Sequence, residues 1–210
     1  MAGILDLLNS NMGQTLIQGV SKQFNLEEGT SQKAISTAMP LILGAMKNNV
    51  STPDGANGLL GALMGKHDGS ILDKIGDILG GNSVNEDVLQ DGEGILGHVF
   101  QGKQENVAKA VSKSSGIDMG QAMNILKVAG PFIMGYLGKK TRQDGVNDAN
   151  GIGDLLGGLL GDGHKEQQSL INRLLDADGD GSIIDDVAGM LMGDGKGSGL
   201  GSLLGGFFKK

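Results

Sequence analysis

Apolar residues recur along the first quarter of the chain with the spacing of an α-helix. Leu16, Ile17, Val20 and Phe24 share one helical face, and the polar stretch 25–29 then interrupts the pattern. A longer helical pattern follows, with apolar residues on more than one face: Ala34, Ile35, Ala38, Leu41, Ile42, Ala45 and Met46. A helix that is apolar on several sides is typical of a buried position. The pattern therefore predicts a short helix, a break and a central helix.

The same arrangement returns 91 positions later in the chain. Gly3-Ile4-Leu5 corresponds to Gly94-Ile95-Leu96, and eleven positions between Gly3 and Asn49 are identical at this offset. The later central helix is predicted from Ile125, Leu126, Ala129, Phe132, Ile133, Tyr136 and Leu137. Asp118 and Gln121 predict a capping box at its start. The repeat indicates an internal duplication.

A second pair of blocks follows the first pair. Asp68–Asp73 resembles Asp180–Asp185, and a Leu-Leu-Gly segment precedes each of them, at 59–61 and at 155–157. The sequence therefore predicts an all-α protein with two related helical units packed as one bundle, joined by glycine-rich acidic linkers. The predicted parts are the first helical unit 1–82, the second helical unit with an acidic Asp/Gly loop 92–193, and a glycine-rich amphipathic tail 194–210.

Each predicted central helix contains a proline. Pro40 and Pro131 occupy equivalent positions of the repeat. Proline inside a helix removes one backbone hydrogen bond and kinks the chain. We expect a kink that lets the central helix wrap its neighbours, and a functional hinge or ligand notch is the alternative.

Composition and charge exclude several classes of function. The formal net charge of −7 argues against a nucleic-acid partner, because a phosphate backbone demands a basic face. The chain has no cysteine, which excludes disulfides, thiolate metal sites and cysteine nucleophiles. Its N-terminus lacks the pattern of a signal peptide, and no apolar run reaches the length of a membrane span. The sequence predicts a cytoplasmic protein without a transmembrane segment.

One acidic stretch resembles the start of a calcium-binding EF-hand loop. Asp176, Asp178 and Asp180 alternate before Gly181 and Ser182, and Asp185 or Asp186 would have to replace the usual closing glutamate. We predict a weak calcium site with the ligands Asp176, Asp178, Asp180, Ser182, Asp185 and Asp186. The alternative is a solvated turn in which Asp180 or Ser182 caps the next helix. The cluster Asp144, Asp148 and Asn150 is interpreted as a turn.

The sequence offers little for catalysis. His67, His98 and His164 lie in no metal-ligand or nucleophile motif and are interpreted as surface or capping residues. We therefore predict a protein that is not an enzyme. An enzyme would need a pocket that gathers His98 or His164 with carboxylates.

The C-terminal run Gly199–Lys210 combines leucine and phenylalanine with two final lysines. Such a segment can dock on its own core or on a second copy, or it can contact a partner or a bilayer surface. The predicted function is a non-catalytic interaction or assembly protein, possible partners being another protein or a second copy of the chain. The alternative is a protein that contacts the membrane surface through its Gly/Leu segments, including the Leu-Leu-Gly segments, and this tail.

Four segments resemble the YidB-like bacterial family of proteins of unknown function. They are Gly3–Leu8, the proline-containing Ala38–Gly44, the Leu-Leu-Gly segments, and Leu174–Ser182. The resemblance extends from about Gly3 to Gly193 and implies an all-helical bacterial domain. It implies no reaction and no functional residue.

Overall fold

The computed structural model describes residues 3–80 and 85–161 of the chain, and every regular element in these ranges is an α-helix. The predicted all-α class is therefore confirmed. The helices of the first part are α1 Ile4–Asn9, α2 Asn11–Phe24, α3 Glu28–Asn49, α4 Pro53–Met64, α5 Ser70–Asp73 and α6 Ile75–Gly80. Those of the second part are α7 Glu86–Phe100, α8 Gln104–Ser115, α9 Met119–Gln143 and α10 Ala149–Leu160.

Polar side chains fix several helix starts. Asp118 accepts a hydrogen bond from the Gln121 backbone N–H at 2.9 Å, and the Gln121 side chain accepts one from the Asp118 N–H, so the predicted capping box is confirmed. Thr52 and Asp148 each cap a helix, α4 and α10 respectively, by accepting one hydrogen bond from a backbone N–H of the first turn. Because Asp148 serves as this cap, its part of the chain is a turn, as predicted.

The two repeated stretches have matching local structure. Helix α2 ends at a left-handed residue, Asn25, and α8 ends at the equivalent left-handed Gly116. Before each of these turns a serine hydroxyl donates to a carbonyl five residues ahead, at 2.5 Å in one copy and 2.6 Å in the other. Helices α3 and α9 start at equivalent positions and both contain the repeated proline. Common ancestry of the two copies stays a prediction, because similar helical hairpins also arise independently.

Helices α3 and α9 form the centre of the fold, as their apolar pattern predicts. They pack against each other, and each also packs against the Leu-Leu-Gly helix of the other unit. Helix α3 thus contacts α10, and α9 contacts α4. Residues of both units belong to one continuous hydrophobic core. Since each unit covers the central helix of the other, neither buries its apolar surface alone.

Helix α7 approaches α9 most closely at Gly92. A Cβ atom built on Gly92 would lie under 3.0 Å from three backbone atoms of Lys127, including its carbonyl oxygen. That carbonyl lies four residues before Pro131, which has no N–H to donate to it. Glycine on α7 therefore lets its backbone pack against a carbonyl that the helix itself leaves without its usual donor.

No helix within residues 3–80 and 85–161 has both the length and the apolar character required to cross a bilayer. The predicted calcium ligands Asp176, Asp178, Asp180, Ser182, Asp185 and Asp186, and the tail 194–210, lie outside the described residues.

Candidate functional site

A groove of about 1050 Å³ runs between α4 and α7. Both helices pack against α9 but have few contacts with each other, so a space remains between them. Its apolar lining comes from four helices and the turn after α3: Met46, Val50, Leu59, Ala62, Ile95, Val99 and Met134. The volume is at the upper end of the range for ligand-binding pockets, about 300–1,000 Å³. We call this space the α4–α7 groove.

Near one end of the α4–α7 groove, Asn49, the last residue of α3, binds the C-terminal end of α7. Its side-chain amide donates to the carbonyls of His98 and Val99 at 3.3 and 3.1 Å. Gln101 in turn donates to the Asn49 side-chain oxygen at 3.0 Å. The last carbonyls of a helix have no partner inside the helix, so Asn49 satisfies two of those of α7. The contact fixes the C-terminal end of α7 beside the start of α4.

Toward the other end, an ion pair connects the turn after α4 to the middle of α7. Lys66 Nζ lies 2.6 Å from Asp91 Oδ1, and His67 Nδ1 lies 3.7 Å from Asp91 Oδ2. His67 is only 7% exposed, so the interpretation of this residue as a surface histidine is wrong. Burial lowers the pKa of His67, an effect that Asp91 opposes and Lys66 reinforces. The imidazole is therefore held in its neutral form.

The turn that carries His67 is fixed to α9. The Asp68 carboxylate accepts from the Ser70 backbone N–H at 2.9 Å and lies 3.0 Å from the Arg142 guanidinium. These hydrogen bonds, first those from Ser70 and then that from Arg142, hold the pKa of Asp68 well below its usual range. A Cβ on Gly138 would collide with the His67 carbonyl, so glycine at 138 lets the turn lie directly on α9.

This turn also bears on the predicted calcium loop, since Asp68 corresponds to Asp180 in the repeat. In the first copy the aspartate binds a backbone N–H and an arginine and precedes a short helix, α5. This is a turn as in the alternative interpretation, although the N-cap of α5 is Gly69 and no side chain caps this helix. In the second copy the question stays open, because Asp180 lies outside the described residues.

The rim of the α4–α7 groove is acidic. Asp54 in the first turn of α4 and Asp87 in the first turn of α7 both line it, and both are exposed. Neither has an ion-pair partner within the part of the chain that the structure describes. With the Lys66–Asp91 pair neutral overall, the groove has two further carboxylates without a basic partner, each in the first turn of its helix, where the helix dipole favours a negative charge.

The structure brings His98 and three carboxylates to the same groove, which meets in part the condition set for an enzyme. His98 is exposed at the C-terminal end of α7, and His164 lies outside the described residues. Among the residues that line the groove, Thr52 has the one hydroxyl, which donates to the Asn49 carbonyl at 3.1 Å and accepts from the Gly55 N–H. Over residues 3–80 and 85–161, histidine and acidic side chains form no cluster of three that could hold a metal ion.

The sequence analysis did not predict the groove, although the helix face of α7 that lines it is polar and can be recognised from the spacing of its residues. Asp87, Gln90, Asp91, Gly94 and His98 recur at helical spacing, and all of them line the groove. A polar helix face that includes a glycine is typical of solvent contact. The pairing of Lys66 with Asp91 leaves no such pattern, because it depends on how α4 and α7 are placed on α9.

Neither curated proteins nor solved structures give a significant match to the chain. A bacterial family does match, over residues 6–140, which span both repeated stretches of α2–α3 and α8–α9. The match confirms the YidB-like resemblance, which is consistent with this family. The chain belongs to the family described as "Bacterial protein of unknown function (DUF937)".

Proposed function

We propose that this protein is a non-catalytic interaction protein whose α4–α7 groove binds an apolar helical segment with a basic end. The observation that carries the proposal is an open groove with an apolar lining and an acidic rim, next to the continuous hydrophobic core. Amphipathic helices bind in such grooves through side chains at positions i, i+3, i+4 and i+7.

The dimensions of the groove support a helical occupant. Along α7, Asp91 and Val99 are about 12 Å apart at 1.5 Å per residue, and the lining residues extend beyond both, from Asp87 to Gln101. Apolar side chains seven residues apart on a helix are separated by about 10.5 Å. Two turns of an amphipathic helix therefore fit between the Lys66–Asp91 pair and the Asn49 contacts.

The chemistry of the lining favours binding over catalysis. The Thr52 hydroxyl is occupied in capping α4, and Asp91 is already paired with Lys66. His67 is 3.7 Å from Asp91, beyond hydrogen-bond distance, and its neutral ring is buried. Nothing in the lining combines a free nucleophile with a base that activates it.

A role at a membrane surface has less support. The Leu-Leu-Gly segments were candidates for membrane contact, but Leu60 and Leu156 are buried in the core. Leu59 and Leu155 are half-buried, so that alternative depends mainly on the tail 194–210. A response to calcium through the acidic stretch 176–186 is an independent proposal, and the groove does not require it.

The proposal is tested with two synthetic peptides that differ in charge. One has leucines at helix-face spacing and lysines at its C-terminal end, and the other has glutamates in place of the lysines. We expect the full-length protein to bind the Leu/Lys peptide about tenfold more tightly at low salt, since exposed ion pairs contribute roughly 0.2–1 kcal/mol each. Fluorescence anisotropy of the labelled peptides measures both dissociation constants.

Two tryptophan substitutions on α7 serve as groove variant and control. Gly94 lines the groove and Gly97 does not, and a Cβ on either meets no atom within 4 Å. Gly94→Trp fills the groove and is expected to abolish peptide binding, whereas Gly97→Trp retains it. Equal binding by the two variants, or equal affinity for the two peptides, would reject the proposed function.

A further inference from the structure

We infer that the occupant of the α4–α7 groove is the chain's own C-terminal segment, Gly199–Lys210, bound within the same molecule. This inference rests on the proposed function, because it names the partner of the same groove.

The sequence of the segment matches what the groove would take. Its apolar residues follow the pattern i, i+3, i+4, i+7, i+8: Leu200, Leu203, Leu204, Phe207 and Phe208. In a helix, Leu200 and Phe207 would be about 10.5 Å apart, close to the separation of about 12 Å between Asp91 and Val99 along α7. Glycine and serine occupy the remaining positions from 199 to 206, and small residues there would let the segment lie deep between α4 and α7.

The charges are also complementary. The segment ends in Lys209 and Lys210 and contains no acidic residue, whereas the chain as a whole has a formal net charge of −7. Asp54 and Asp87 stand at the rim of the groove without an ion-pair partner among the described residues. The two carboxylates lie toward opposite ends of the groove, because α4 starts beside the end of α7, so the adjacent lysines would pair with one of them.

The connection within one chain is long enough. Helix α10, which packs against the groove wall α4, ends at Leu160. Residues 162–198 separate Gly161 from the segment, and even at the helical rise of 1.5 Å per residue they would span about 55 Å. A folded domain of this size has a radius of gyration of about 15 Å. Binding within one molecule also benefits from an effective concentration of about 1 mM.

Methionine methyl NMR tests the inference, because Met46 and Met134 line the groove and the fully buried Met39 does not. Comparing the full chain with a chain that ends at Ser198, we expect the methyl signals of Met46 and Met134 to shift while that of Met39 stays in place. The double variant Phe207→Ser/Phe208→Ser keeps the chain length and is expected to give the same shifts. Unchanged Met46 and Met134 signals in both variants would overturn the inference.

Charge variants add a second readout. Asp54→Lys and Asp87→Lys each remove one rim carboxylate, and the variant that removes the partner of the two lysines is expected to weaken docking, so that Met46 and Met134 move toward their positions in the shortened chain. Glu105→Lys is the matched control, since Glu105 is also exposed in the first turn of its helix but lies outside the groove. If neither aspartate variant differs from the Glu105→Lys control, the inference fails.

A mixed sample separates docking within one molecule from docking between molecules. The chain has no cysteine, so Ser202→Cys accepts a single spin label. We expect the label to broaden Met46 and Met134 when label and ¹³C-methyl methionine are in the same chain. Broadening in an equal mixture of labelled ¹²C chain and unlabelled ¹³C chain would contradict an intramolecular contact.

The Leu/Lys peptide distinguishes failure of the inference from failure of the proposed function. If the tail occupies the groove, the chain ending at Ser198 binds the peptide more tightly than the full chain does. At an effective concentration of about 1 mM, a tail with a dissociation constant of about 0.1 mM would produce a tenfold difference. Equal and measurable binding by both chains rejects the tail as occupant but keeps the groove. No binding by either chain rejects both.

Discussion

Two glycines on different sides of the same helix allow the α7–α9 contact to be tested with a single type of substitution. Gly92 and Gly94 both lie inside α7, where alanine is favoured over glycine by about 0.5–1 kcal/mol. At Gly94 a Cβ meets no atom within 4 Å, so this gain is retained. We expect Gly94→Ala to stabilise the protein by about 0.5–1 kcal/mol.

Gly92→Ala has the opposite expected effect. Its Cβ would collide with the Lys127 backbone, which cannot rotate away as a flexible side chain would, so α7 and α9 must separate. Overpacking of this kind costs about 1–3 kcal/mol. After the gain in helix propensity is subtracted, we expect a net loss of up to about 2.5 kcal/mol.

Urea denaturation followed by circular dichroism at 222 nm measures both variants against the unsubstituted protein. The two midpoints are expected to move in opposite directions, and the melting temperatures to differ by about 4–10 °C, at about 2–4 °C per kcal/mol for a protein of this size. A Gly92→Ala variant as stable as Gly94→Ala would refute the close backbone contact between α7 and α9.

Three further outcomes are expected. Burial lowers the pKa of His67 in the folded state, so the free energy of unfolding is fully retained above the unfolded-state pKa of about 6.5 and falls as the pH drops below it. The substitution His67→Gln should therefore lessen the decrease of the urea midpoint between pH 7.5 and pH 5.5. An unchanged decrease would argue against His67 as the cause. Asp118→Ala removes the capping box of α9 and should destabilise the protein by about 1 kcal/mol in the same assay, whereas no change would mean that the cap is not formed in solution. Calorimetric titration with calcium should release heat with the unsubstituted chain but not with Asp178→Asn/Asp180→Asn, and equal heats would remove the predicted calcium site.

Local sequence patterns were sufficient to predict α2, α3, α8 and α9 and their order along the chain, but not α7, which starts at Glu86 in the stretch 83–91 between the two predicted units. The spacing of apolar residues placed α3 and α9 at the centre, and Asp118 with Gln121 marked the start of α9. These predictions succeed because helix periodicity and capping depend on residues within one or two turns. The repeat added that the turn between the two helices falls at equivalent positions in the two hairpins.

The α4–α7 groove could not be predicted in the same way. It exists because α4 and α7 pack against α9 rather than on each other, which follows from close contacts at Gly92 and Gly138. Whether a helical glycine serves a close contact or faces solvent is not visible in the sequence, and Gly92 and Gly94 illustrate the two cases. His67 was misjudged for the same reason, since its burial depends on the absence of a side chain at Gly138, far along the chain.

The central claim is that the α4–α7 groove is the binding surface of this protein. The most direct test is titration of the chain ending at Ser198 with the Leu/Lys peptide, recorded on the methyl signals of Met46, Met134 and Met39. The account predicts saturable shifts at Met46 and Met134, with Met39 unaffected and with little response to the Leu/Glu peptide. Peptide-induced shifts confined to methionines outside the groove, or no shift of any methionine, would contradict it.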